Sequence, residues 1–109
     1  SNSVRIFEGF LDFLSFKNVE NFLVKEPSDY LISNSVSMIH DIKNSLENYK
    51  NVQLYFDNDE AGNRAVEIIR NQNQNAEDCR ILYSDFKDLN DWLVHRHPSN
   101  ERQVKLRRR

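Results

Sequence analysis

The sequence predicts an α/β fold, a parallel sheet of about four strands with helices on its faces, and three observations predict it. Short apolar runs alternate with segments whose apolar residues recur at helical spacing. Acidic residues stand just past the runs: Glu8 after the first, Asp57 and Asp59 after the third, Asp88 beyond the fourth. The chain's 2 glycines, Gly9 and Gly62, both lie in these acidic turns. Since a chain ordinarily carries about 7% glycine, their restriction to these turns favours a local backbone requirement there.

The elements follow in order. Val4, Arg5, Ile6 and Phe7 read as the first strand, and Phe10, Leu11, Phe13, Leu14 and Phe16 give a helix behind Glu8 and Gly9. Residues 18–28 contain Pro27 and are expected to form a loop. Tyr30, Leu31 and Ile32 form the second strand, running into the turn Ser33-Asn34-Ser35, where Asn34 is suited to a left-handed backbone. Met38, Ile39, Ile42 and Leu46 give the second helix, closing around Tyr49. Residues 52–56 form the third strand, and Ala61, Ala65, Val66, Ile68 and Ile69 form a helical stripe that packs on the sheet. After a polar break at 71–75, residues 79–83 read as the fourth strand, and Leu89, Trp92 and Leu93 as a final helix ending near Pro98.

Such an alternation implies right-handed crossovers, and ligands in such sheets collect outside the carboxyl ends of the strands. Glu8, Asp57, Asp59 and Asp88 should therefore converge on one edge. A convergent group of carboxylates is costly unless a cation sits among them. Asp57-Asn58-Asp59 carries both readings: Asp59 as the cap of the next helix with Glu60 in its first turn, or two acids reaching one ion with Gly62 permitting close backbone approach to a phosphate.

At 109 residues, 39% of them hydrophobic and 29% charged, the chain fits one globular domain. No run approaches the roughly 20 apolar residues of a membrane span, and no secretory signal pattern is present, so a cytoplasmic location is expected. Single Cys79 excludes an internal disulfide framework and reads as a buried thiol. His40, His95 and His97 lack zinc spacing, and the last two read as exposed helix-end residues. An EF-hand starting at Asp57 fails, because Ala61 and Ile68 stand where oxygen ligands are required.

The formal net charge of -2 conceals an asymmetry: residues 99–109 hold 5 basic residues against 1 acidic, leaving 10 basic and 16 acidic over 1–98. Residues 99–109 are expected to be a basic, disordered tail, and Ser1-Asn2-Ser3 a tag remnant on a domain cut from a longer protein. An acidic body needs cations, the tail or neighbouring domains to approach a phosphate backbone.

Three segments, Glu8-Gly9-x-x-Asp12, Asp57-x-Asp59-x-x-Gly62 and Lys87-Asp88-x-Asn90-Asp91-Trp92-Leu93, together resemble the Toprim domain of bacterial primases, topoisomerases and some nucleases. The wording is closest to primase-like proteins of mobile elements, and the resemblance covers about 4–96, in a domain placed at 4–98. It implies a compact, Rossmann-like, three-layer fold. By position, Glu8 resembles the family's catalytic glutamate, acting as acid/base or ligand, and Asp57 and Asp59 its Mg2+-binding aspartates, with Mn2+ as the substitute ion. Asp88 resembles a further metal-binding acid, Asn90 stands where primases often carry aspartate, and Asp12 in its helix is either structural or a support that orients a neighbour. Lys87, Arg64, Gly9 and Gly62 are candidates for phosphate contact. Ser33-Asn34-Ser35 departs from the glycine usual in that turn, and Asn63 from the basic residue usual after the second motif's glycine.

The implied function is metal-dependent nucleotidyl transfer in a DNA primase-like protein that replicates or mobilises DNA. Its partners would be a DNA or RNA template, nucleotides and further domains of a parent chain, with no membrane. A Toprim nuclease cleaving phosphodiesters and a non-catalytic interaction module are the alternatives.

Overall fold

A computed structural model describes residues 2–23 and 27–96. Four strands form one sheet: β1 (Ser3–Phe7), β2 (Asp29–Ile32), β3 (Asn51–Tyr55) and β4 (Glu77–Asp78). Their order is β2-β1-β3-β4 and every pairing is parallel. Between and after them lie α1 (Phe10–Leu23), α2 (Val36–Ile42), α3 (Glu60–Gln72) and α4 (Leu89–Arg96), with 3-10 segments at Lys43–Asn48 and Cys79–Tyr83.

Strand alternation separates two apolar layers. Val4, Ile6, Val52, Leu54 and Phe56 pack against Ile39 and Leu46, and against Ala65, Val66 and Ile69 of α3. Phe7 and Tyr55 face the other way, onto Phe16 and Val19 of α1 and onto Leu89 and Trp92 of α4. The sheet is thus covered on both faces, as a parallel sheet requires. Arg5 is buried in that second layer, with Nε donating to Gln53 Oε1 at 2.9 Å and its guanidinium 5.4 Å from the Phe16 ring centroid.

Two expected elements are corrected. Residues 18–23 continue α1 instead of opening the loop expected over 18–28, because Val19 lies three residues after Phe16 and extends the buried stripe. The fourth strand is Glu77–Asp78, paired with Gln53 and Leu54, whereas Cys79–Tyr83 winds as a 3-10 segment. The Asp78 side chain accepts the Arg80 N–H at 3.1 Å and turns the chain off the ladder. Ile81, 83% exposed, shows why an apolar run alone misleads here. Cys79 is only partly buried, and burial pushes its thiol up to about 11.

Ser3 pairs with Asn51 inside β1 and is itself buried. Asn34 adopts φ 65°, a left-handed backbone that its side chain tolerates, and its N–H donates to Glu8 O at 2.9 Å. His95 is exposed on α4, against Asp91. Ser1, His97, Pro98 and the basic segment 99–109 lie outside the described residues. No helix among the described residues is long and apolar enough to cross a membrane.

Candidate functional site

The sheet order sets where a ligand is held. From β1 the chain moves to β2 on one side, then returns past β1 to β3 on the other, so the strand order reverses between β1 and β3. In open α/β sheets the crevice at such a reversal, beyond the strand carboxyl ends, is the ligand site. Phe7 and Tyr55 are the last register partners of these strands, and Glu8 and Asp57 emerge just past them.

Five acids gather there. Oxygens of Glu8, Asp57 and Asp59 lie within 4.8 Å of one another, as do oxygens of Asp12, Asp57 and Asp88, so the two groups share Asp57. Asp57 N–H donates to Glu8 Oε1 at 3.1 Å, which ties the exit of β3 to that of β1. Asp59 caps α3, accepting the Gly62 N–H on Oδ1 at 2.8 Å, so capping and membership of the carboxylate group belong to one residue. Asp88 likewise accepts the Asp91 N–H on Oδ1 at 2.7 Å at the start of α4. It arrives ten residues after β4, as a helix-start residue and not at a strand exit as the sequence suggested.

Asp12, 6% exposed on the first turn of α1, accepts the Asn90 N–H at 3.0 Å. Asn90 Oδ1 in turn accepts the Ser15 hydroxyl at 2.8 Å, so Asn90 locks α4 to α1. Lys87 and Arg64 are exposed. Gly9 packs beside Asp12, with space for a Cβ only 3.3 Å from Oδ2. A Cβ on Gly62 would fall 1.9 Å from Asp57 O, so the close backbone approach that requires this glycine is to Asp57 itself.

Sequence reasoning missed three residues that hold the acidic turn. Asn58 Nδ2 donates to Tyr83 O at 3.0 Å and to Phe86 O at 2.7 Å, while its N–H donates to Lys87 O at 2.6 Å. The buried Tyr83 hydroxyl donates to Phe56 O at 2.7 Å. Arg80 Nη1 donates to Asn63 Oδ1 at 2.6 Å and to Asp57 O at 3.4 Å. The segment after β4 therefore grips the exit of β3 from outside. Asn58, between the two acids, was the available signal, since an amide supplies two donors to a turn.

The charge is expensive as it stands. Burial pushes the Asp57 carboxyl up to about 7, and the negative charges of Glu8, Asp12, Asp88 and Asp59 add to this. Burial likewise raises Asp12 to about 6, with Asp88 and Glu8 adding and the N–H donors of Asn90 and Gly9 opposing. Asp57 Oδ1 is buried without a hydrogen-bond partner. An orphaned carboxylate oxygen among other carboxylates fits a hard divalent cation, which prefers oxygen donors.

A stability prediction follows for metal-free protein. Asp57 and Asp12 hold protons that an unfolded chain, with carboxylates near 3.8, has already released. Their contribution to stability is fully present below about pH 4 and is lost as pH rises through about 6 and 7. The thermal midpoint in chelator is expected to fall from about pH 5 to about pH 8, with Asp57→Asn flattening the slope. A midpoint that climbs across that window contradicts the arrangement.

Known proteins share this architecture. The small Toprim domain protein from Bacillus stearothermophilus is 24% identical with a TM-score of 0.59, over 97% of this chain and 84% of its own. The primase fragment of the bacteriophage T7 primase-helicase protein is 19% identical with a TM-score of 0.61, over 94% of this chain and 43% of that fragment. A T7 lagging-strand DNA polymerase assembly with primase domains bound to an RNA/DNA hybrid and dTTP matches at 20% identity and a TM-score of 0.56, over 94% of this chain and 52% of the matched one. The chain thus spans about half of the T7 chains it matches. No curated protein sequence matches it. The family model described as Toprim-like matches residues 5–93, a span holding all five acids of the cluster, and the chain belongs to the Toprim-like family.

Proposed function

We propose that this chain is the metal-dependent domain of a DNA primase-like protein, transferring nucleotidyl groups on nucleic acid in the replication or mobilisation of DNA. The observation that carries the reading is Asp57 Oδ1, buried and unpartnered where two carboxylate groups overlap. Glu8, Asp57 and Asp59 would hold one divalent cation, Mg2+ or Mn2+ in its place, with Asp88 as a further acid. Such a cation, when bound, neutralises charge on phosphate oxygens and orients the attacking and leaving groups.

The remaining work belongs to the chain's own residues. Glu8, held by the Asp57 N–H, is placed at the mouth of the site to take up or deliver a proton. Asp12 and Asn90 brace α4 against α1 and so set the position of Asp88. Lys87 and Arg64, exposed, are available to phosphate groups, and Gly9 and Gly62 let the two turns lie close to the site. The likeness to T7 primase structures supports DNA or RNA template and nucleotides as partners. With 10 basic against 16 acidic residues over 1–98, the body would require the segment 99–109 or other domains of a parent chain to hold a template. We place the protein in the cytoplasm.

The test assays the full parent protein for template-dependent primer synthesis and for phosphodiester cleavage, in Mg2+, in Mn2+ and in chelator. Metal-dependent primer synthesis, lost when Asp57 and Asp59 are both alanine, is the expected result. Cleavage without synthesis would replace the primase reading with a nuclease, and neither activity would leave an interaction module.

A further inference from the structure

We infer that Arg80 is a positioning residue, its guanidinium fixing the carbonyl of Asp57 and the first turn of α3 so that the acids of β3's exit meet Glu8; this rests on the metal reading above. Three anchors converge on the side chain. Nε lies 2.9 Å from Asp78 Oδ1 and 3.2 Å from Oδ2, and Nη2 lies 2.8 Å from Oδ2, a forked ion pair. Asp78 is itself fixed, through the register pairing of β4 with Leu54 and the Arg80 N–H on its Oδ1. The other two anchors are reached by Nη1, at Asn63 Oδ1 (2.6 Å) and Asp57 O (3.4 Å).

This differs from a surface salt bridge. The Arg80 and Asp78 side chains are 16% and 25% exposed, and the fork leaves the guanidinium one orientation, in which Nη1 points at the turn. Asp57 O is also the atom against which Gly62 packs, so the carbonyl is pinned from two sides. Because the peptide unit is planar, holding this carbonyl fixes the plane between Asp57 and Asn58 and with it the path of the chain from Asp57 to Asp59. Arg80 thus touches neither carboxylate and acts through the backbone that presents them. A lysine would keep the charge but not the planar fork that joins Asp78, Asn63 and Asp57.

The test measures Mn2+ affinity by calorimetry at low temperature, where circular dichroism shows each variant folded. Arg80→Gln is expected to weaken binding about tenfold, the usual scale for groups that orient metal ligands. Arg80→Lys is expected to stay within about twofold of Arg80→Gln, since positioning and not charge is lost. Should Arg80→Gln not fold, Asn63→Ala and Asp78→Asn each remove one anchor and are expected to weaken binding about threefold. Wild-type affinity in the folded variants, or full recovery with lysine, overturns the inference. A wild-type protein that takes up no Mn2+ would instead overturn the metal reading itself.

Discussion

Replacing Asp57 and Asp59 together by alanine is expected to abolish divalent-cation binding while leaving metal-free stability at about pH 8 close to that of the wild type. The first effect follows from geometry: Asp57 belongs to both carboxylate groups, so no complete set survives its loss. The second is a balance. Asp59 accepts the Gly62 N–H as the cap of α3, and losing such a cap costs about 1 kcal/mol. Against this, Asp57 at high pH is an ionised carboxylate held among four others, with a buried oxygen that nothing satisfies. Removing it relieves desolvation and repulsion together. Calorimetry and thermal melts with and without MnCl2 check both parts. Wild-type affinity in the double variant would sink the site assignment, and a variant unfolded at room temperature would show that the acids are structural.

Gly62→Ala is expected to be the most damaging single-methyl change in the domain. The added Cβ would lie 1.9 Å from Asp57 O, 2.9 Å from its carbonyl carbon and 3.2 Å from its nitrogen. All three obstacles are backbone, so no side chain can rotate away. Alanine gains about 1 kcal/mol over glycine in helix propensity, but overpacking costs typically 1–3 kcal/mol and more where backbone must move. A net loss of about 2 kcal/mol lowers the thermal midpoint of a domain this size by about 10 °C. Because the displaced group is Asp57, cation affinity should fall with stability. An alanine variant as stable as wild type, binding Mn2+ equally well, would show that the turn is not built as described.

Much of this was legible in the sequence, for identifiable reasons. Glu8, Asp57 and Asp59 were readable because an apolar run that stops at an acid marks a strand exit, and parallel strands deliver their exits to one edge. At Asn34 the sequence showed only that a left-handed backbone could be tolerated, and the turn uses it. The fourth strand was misread because an apolar run over 79–83 suits a strand as well as a 3-10 segment, and only the Asp78 cap on Arg80 distinguishes them. Asn58, Arg80 and Tyr83 escaped notice for a different reason. Most of their partners are backbone carbonyls about twenty or more residues away in sequence, a kind of contact that leaves no trace in periodicity or spacing. The role of Gly62 was half visible: a close backbone approach was expected, but its partner is Asp57 within the same turn.

The central claim, that the acids around Asp57 form a divalent-cation site, is tested most directly by titrating Mn2+ into metal-free wild-type protein in buffers of different ionisation enthalpy. Burial and neighbouring charge raise Asp57 to about 7, so a cation that binds there must displace its proton. Saturable binding is expected to release close to one proton per protein near pH 6 and almost none near pH 8.5. Absence of binding, or a proton count that does not change with pH, would contradict the account.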